Sequence, residues 1–173
     1  MVYLSRGCMV ASMLAASLWL GGIVALGAVV APVVFRVVPA PTNADAMTLV
    51  FRRFDAVAVG CAVVVMVAEA ARASAEHARL GVSGVIRVGA ALAGSALAAW
   101  QAFDLAPKIE ALHRSGAVRG VGAAGAELDA AHRLAESEAK AQVAFVAVFL
   151  VASVLSLASQ ARDHTEERRA ERR

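Results

Sequence analysis

Aromatic side chains are scarce in this chain: six Phe, two Trp and one Tyr among 173 residues. Yet 60% of the residues are hydrophobic, against about 45–50% in an ordinary soluble domain. Ala, Val, Leu and Gly therefore carry the apolar content. Small side chains of this kind suit helices that approach one another closely in lipid. Lysine is scarcer still, with Lys108 and Lys140 against 15 Arg. Together with the Ala and Val excess, that skew has the look of GC-rich coding. The two cysteines, Cys8 and Cys61, lie in or beside apolar runs and give no disulfide framework. No basic stripe interleaved with aromatics is present, so nucleic acid is not an expected partner. A nucleophile–base arrangement, a phosphate loop and a Cys-x-x-Cys are likewise missing, and the expectation is a protein that is not an enzyme. Strand-like alternation of polar and apolar residues is missing too, which excludes a β-barrel reading.

Four long apolar runs are what the chain does have. Between Arg6 and Arg36 lie 29 residues without a charge. About 20 are enough to span a bilayer at 1.5 Å per residue. The run is longer than the h-region of a signal peptide, roughly 7–15 residues. Pro32 sits near its far end, where a kink is expected because the ring removes a backbone donor and frees the carbonyl of Ala28. The second run, Phe54 to Ala73, is bounded by Asp55 and Glu69. The third, Val82 to Phe103, carries Arg87 near its start and offers small residues four apart: Gly89/Ala93, Ala90/Gly94 and Gly94/Ala98. Trp100 closes it, at a depth where an interfacial indole is favoured. The fourth run, Ala141 to Ala161, is uncharged between Lys140 and Arg162.

The expected fold is an all-α integral membrane four-helix bundle, up-down-up-down, as a single domain over residues 1–173. Its spans are expected at about 8–36, 47–73, 82–103 and 139–162. Pro39 and Pro41 end the first helix, and Thr42, Asn43 or Asp45 could cap the second. Residues 74–81 form a second short connection. The third connection, 104–138, is long. It begins with a short interfacial helix, DLAPKIEALHR, and continues through a Gly-rich stretch, Gly116 to Gly125, that reads as flexible. A polar helix then runs unbroken into the fourth span. A polar tail follows at 163–173; its arginines read as a solvated helix end or as a contact to anionic lipid. Nine Lys/Arg lie on the side of the termini and eight on the other. The tail cluster close to a span leans the termini to the cytoplasmic side, in a bacterial inner membrane.

The segment SLWLGGIVALGAVVAPVVFR, Ser17 to Arg36, holds a Trp-x-Gly-Gly opening (Trp19, Gly21, Gly22), then Ala-Pro (Pro32), then Phe-Arg (Phe35, Arg36). It resembles the first helix of the transmembrane protein 205-like domain family. FRRFDAVAVG (Phe51 to Gly60) resembles that family's second-helix entry. AAHRLAE (Ala130 to Glu136) resembles a segment before the last helix, where the family tends to carry Phe-x-x-Leu-His and a nearby Ser. Here His132 is present, while Ala131 and Ala135 stand at the Leu and Ser positions. The resemblance implies four transmembrane helices and no established biochemical activity. The Trp-Leu-Gly-Gly also resembles first helices of copper-resistance D-type and haem-related membrane proteins. Those place a His within a membrane helix; here His77, His113, His132 and His164 lie in connections or the tail, which disfavours haem ligation.

Four groups of residues are candidates for a site. Glu69 and Arg87 lie four and five residues from the same end of an antiparallel helix pair, so they share a depth. Three readings follow: a structural ion pair, separate snorkelling to the interface, or a proton or ion relay. Arg36 and Asp55 form a matching expected pair at the opposite face, with Arg52 and Arg53 as rivals. Cys8, Met9, Met13, Cys61 and Met66 are soft ligands that would suit Cu(I), or ordinary apolar fillers. His132 and Glu136, with Asp129, share a helix face and offer either a divalent-metal site or a solvated polar face. The expected role is a structural or accessory membrane component without a cofactor. A small transporter or permease subunit using Glu69 and Arg87 is the alternative, and a copper- or haem-related protein the third. The lipid bilayer is the expected partner, with a homo-oligomer or another membrane protein open beside it.

Overall fold

The structure is a computed structural model that describes residues 2–40, 42–75 and 81–171, with side chains described over 5–40, 42–74 and 81–159. Four helical rods are long and apolar enough to cross a bilayer: Ser5–Val37, Thr42–Ser74, Val82–Arg114 and Gly122–Ser159. No strand occurs among the described residues. The chain is a multi-pass, all-α membrane protein.

The first rod consists of α1 (Val2–Ala25), a π-turn over Leu26–Val30 and α2 (Ala31–Val37). The second rod is α3 (Thr42–Ala75). The third consists of α4 (Val82–Trp100), a π-turn over Gln101–Leu105 and α5 (Ala106–Arg114). The fourth is α6 (Gly122–Glu171), 50 residues long, or about 75 Å at 1.5 Å per residue. α1 packs along α3 and α6, and α4 along the same two. The rods therefore form a square in the order α1, α3, α4, α6.

Proline explains both π-turns. Each ends immediately before an Ala-Pro, at Ala31–Pro32 and Ala106–Pro107. The Ala31 N–H reaches back to the carbonyl of Leu26, and the Ala106 N–H to that of Gln101. One extra residue in the turn moves a carbonyl out of the way of the proline ring, and the helix continues. The kink expected at Pro32 is thus a local widening. For the same reason the third helix does not stop at Phe103: α5 continues the same rod to Arg114.

The Gly-rich stretch after α5 is a defined turn and not a flexible linker. Gly116, Gly120 and Gly122 have φ of 79°, 78° and 64°, which L side chains rarely adopt. The Gly120 N–H donates to Gly125 O at 3.1 Å, and the Gly125 N–H to Val121 O at 3.2 Å. This turn folds α5 back along the first part of α6. There Leu105, Ile109, Leu128 and Ala131 form a small core of their own. The polar part of α6 stands outside its apolar run, supported by α5.

The main core lies at mid-height. Ala16 and Trp19 of α1 meet Ala58, Cys61, Ala62 and Val65 of α3, Ala90, Ala91 and Ala98 of α4, and Val146 and Phe149 of α6. Trp19 is the largest side chain there, among many alanines. α4 makes room for it: Ala90, Gly94 and Ala98 are buried, and a Cβ on Gly94 would touch the Trp19 ring at 3.5 Å. Of the small-residue pairs in α4, Ala90/Gly94 and Gly94/Ala98 face the interior, whereas Gly89 faces outward.

The two glycines beside Trp19 differ in the same way. A Cβ on Gly22 would sit 2.2 Å from Cε2 of Phe54, while one on Gly21 would meet open space. Gly22→Ala is expected to lower the detergent melting temperature, because overpacking of this kind costs about 1–3 kcal/mol. Gly21→Ala is expected to hold or raise it by helix propensity, worth up to ~1 kcal/mol. Thermal unfolding of the two variants checks this.

Candidate functional site: two polar layers in the bundle

The bundle's interior carries polar side chains at two levels. At the first, Glu69 of α3 is 4% exposed and accepts from two guanidiniums. Arg87 of α4 donates through Nε to Oε2 at 2.8 Å, and Arg72 of α3 through Nη1 to Oε1 at 3.3 Å. Arg87 also donates to Oγ of Ser156 on α6 at 3.2 Å, and Ser156 passes its own proton to Ala152 O at 2.8 Å. Arg72 and Arg87 are 1% and 3% exposed. Three helices are therefore joined through one carboxylate. An ion taken out of water is costly in lipid unless it is paired and hydrogen-bonded. Here each group of the Glu69–Arg87 pair has both kinds of contact.

The second level lies 14 residues away on three rods: from 69 to 55 on the second, from 87 to 101 on the third, and from 156 to 142 on the fourth. Fourteen residues are close to four full turns, so the same face is presented again about 21 Å further along. Here the partners are Asp55, Gln101, Gln142 and Glu138. The Trp19 Nε1–H donates to Oε1 of Gln142 at 2.9 Å, and the Gln142 amide nitrogen donates to Oε1 of Glu138. Gln142 and Glu138 are each 4% exposed. Asp55 is half-buried, and its Oδ2, like Oε1 of Gln101, is a buried acceptor without a hydrogen-bond partner among the described residues.

The two levels differ in chemistry. The first has donors for its carboxylate. The second is rich in acceptors, with the Trp19 indole and the Gln142 amide supplying its donors. Between them is the apolar core, with a cavity of about 10 Å³ lined by Ala16, Trp19, Val65, Ala90, Ala91, Val146 and Phe149. That is room for one water at most, and a water needs polar partners that these side chains do not provide.

The remaining candidates fall elsewhere. Arg36 is exposed and makes no ion pair with Asp55 among the described residues. Arg36 follows the π-turn and ends on the outer face, while Arg52 reaches away to Glu110 of α5 at 3.1 Å. The expected Arg36–Asp55 pair is therefore not formed. In the Trp-x-Gly-Gly segment, Trp19 and Gly22 face the interior, whereas Gly21, Pro32, Phe35 and Arg36 face out. Cys61 belongs to the central core, with Met66 packed against it. Cys8 does not join them: the Gly22–Phe54 contact sets the α1–α3 register and puts Cys8 level with position 68, about 10 Å from Cys61 along the axis. Asp129 is bound by Arg119 and Arg133, and Glu136 by Lys140 at 2.7 Å. His132, Glu136 and Asp129 thus do not converge. His132 instead faces His113 of α5, with Nε2 to Nε2 at 3.3 Å. His77 and the short connection around it, and the side chains of the arginine tail with His164, lie outside the described residues.

Residue counting missed Arg72, Ser156, Gln142 and His113. Gln142 had one available signal: it is an amide inside an otherwise apolar helix face, four residues after Glu138.

Residues 14–118 match the family model described as Domain of unknown function (DUF4149). The match spans well over half of the chain. The chain belongs to this family. No curated protein and no solved structure matches it. The matched DUF4149 segment holds Trp19, Asp55, Glu69, Arg72, Arg87 and Gln101. The α6 residues that complete both polar layers, Ser156, Gln142 and Glu138, lie beyond it.

Proposed function

We propose that this DUF4149 protein is a structural or accessory component of a membrane, not an enzyme, with the kinship to transmembrane protein 205-like proteins that its first helix suggests. The observation that carries this reading is the saturation of Glu69. Its two oxygens are held by Arg72 and Arg87, and Arg87 by Ser156. A carboxylate in such a setting has its bonds made within the bundle, and below it the interior is apolar with a very small cavity. A passenger ion or solute using Glu69 would need a wet path and a free oxygen. The membrane is taken to be a bacterial inner membrane with cytoplasmic termini, on the weak excess of basic residues near the spans on that side.

The reading predicts a sealed first layer. With both native cysteines replaced, Ser156→Cys is expected to resist a water-soluble maleimide in native membranes and to react after denaturation. Rapid labelling in native membranes would mean that water reaches Arg87, and the accessory reading would give way to a conduit.

A second reading, transport, finds support at the other layer instead. Asp55 and Gln101 present buried acceptors without donors, and a proton or a cation would supply what they lack. If this layer carries charge, Asp55→Asn abolishes a proton or cation flux measured in proteoliposomes while the protein stays folded. If the wild-type protein conducts no more than protein-free liposomes, Asp55 serves packing alone.

A further inference from the structure

The hairpin outside the apolar core places two imidazoles in contact. His113 lies one residue from the end of α5, and His132 lies on the polar part of α6, eight residues before Lys140. Both are half-buried, and the rings meet edge to face with centroids 5.5 Å apart. Hydrophobic contacts fix this meeting from below through Ile109, Leu128 and Ala131. An ion pair, Lys108 to Glu127 at 2.9 Å, fixes it from the side. The positive-φ glycines of the turn fix the length of the connection.

The separation of the two nitrogens has a chemical meaning. A metal bound tetrahedrally at about 2.0–2.1 Å by two imidazoles holds their nitrogens about 3.3–3.4 Å apart. The Nε2 atoms of His113 and His132 stand at 3.3 Å. The same distance is also long for a hydrogen bond between two rings, where about 2.9–3.0 Å is usual. Burial and the nearby Arg119 push His132 below the usual histidine range, which favours the neutral ring. A neutral ring is the form that binds metal. The surrounding carboxylates, Glu110 and Asp129, are engaged by Arg52, Arg114, Arg119 and Arg133. They are not counted as ligands, and the arginines limit affinity.

We propose that His113 and His132 form a two-imidazole clamp for a divalent transition cation of the Zn²⁺, Ni²⁺ or Cu²⁺ class, which pins α5 to the protruding part of α6. Nitrogen donors select this class over Mg²⁺ and Ca²⁺. Solvent completes the coordination. Protons compete with the metal for the imidazole nitrogens. This clamp is independent of the role assigned to the polar layers.

Full-length protein in detergent, titrated with Zn²⁺ alone by calorimetry at pH 7.5, is the test. One ion per chain is expected, with weakening by at least about tenfold in each of His113→Gln and His132→Gln, the loss typical of removing a metal-supporting group. His77→Gln and His164→Gln are expected to bind as the wild type does. Co²⁺ titration of the same variants gives a visible spectrum that reads imidazole ligation directly, and circular dichroism without metal confirms that each variant is folded. No saturable Zn²⁺ binding by the wild type, or binding that survives His132→Gln in a folded protein, overturns the proposal. Loss of binding in His77→Gln or His164→Gln alone would overturn it equally, by placing the site elsewhere.

Discussion

A single carboxylate inside the bundle, Glu69, ties three of its four rods together. It is held by Arg87 across the α3–α4 interface and by Arg72 one turn away, and Arg87 reaches on to Ser156 of α6. In a water-soluble protein such a pair is weak evidence for stability, since hydrophobic replacements often serve as well. In lipid the alternatives to pairing are worse. Apolar contacts between alanine-rich helices look much like contacts with lipid tails, so they do little to choose one register over another. A buried charge pair chooses strongly, because sliding α4 by one turn would strand Arg87 and leave Glu69 with Arg72 alone. The register that satisfies Glu69 and Arg87 also brings Asp55 level with Gln101 and puts Gly94 against Trp19.

The rest of the architecture follows from that alignment. The second polar layer repeats the first on three helices after about four turns, so one register serves both. Trp19 fills the space between, and its indole N–H is satisfied by Gln142. The π-turns before Pro32 and Pro107 let the first and third rods stay continuous past residues that would otherwise end them. Extension of the third rod into α5 then supplies a support for the part of α6 that projects beyond the apolar run.

Much of this can be read from the residues, and the unread part has a common cause. Apolar run length gives four rods. Counting residues from the helix ends puts Glu69 and Arg87 at one depth. Depth alone does not give rotation about the helix axis, and the same count that paired Glu69 with Arg87 also suggested Arg36 with Asp55. The second fails because Arg36 follows a π-turn that no run-length argument reveals, and it emerges on the outer face. Arg72 is turned inward to Glu69, three residues before it, and its place at the end of an apolar run does not show this. Ser156, Gln142 and His113 depend on α6 meeting helices more than sixty residues away, or on a glycine turn whose shape is set by three positive φ angles. The Gly-rich composition marked that turn; its conformation was not legible.

The account rests on Glu69 and Arg87 needing each other, and their thermodynamic coupling is the measurement that tests it most directly. Detergent melting of Glu69→Gln, Arg87→Gln and the double variant forms the cycle. Each single change breaks a buried pair and leaves the remaining charge short of a partner, at a cost of up to about 3–5 kcal/mol. The double variant is expected to recover most of that loss, leaving a large coupling energy. If the two single losses simply add in the double variant, or if neither single change lowers the melting temperature, the pair does not hold the register and the account is contradicted.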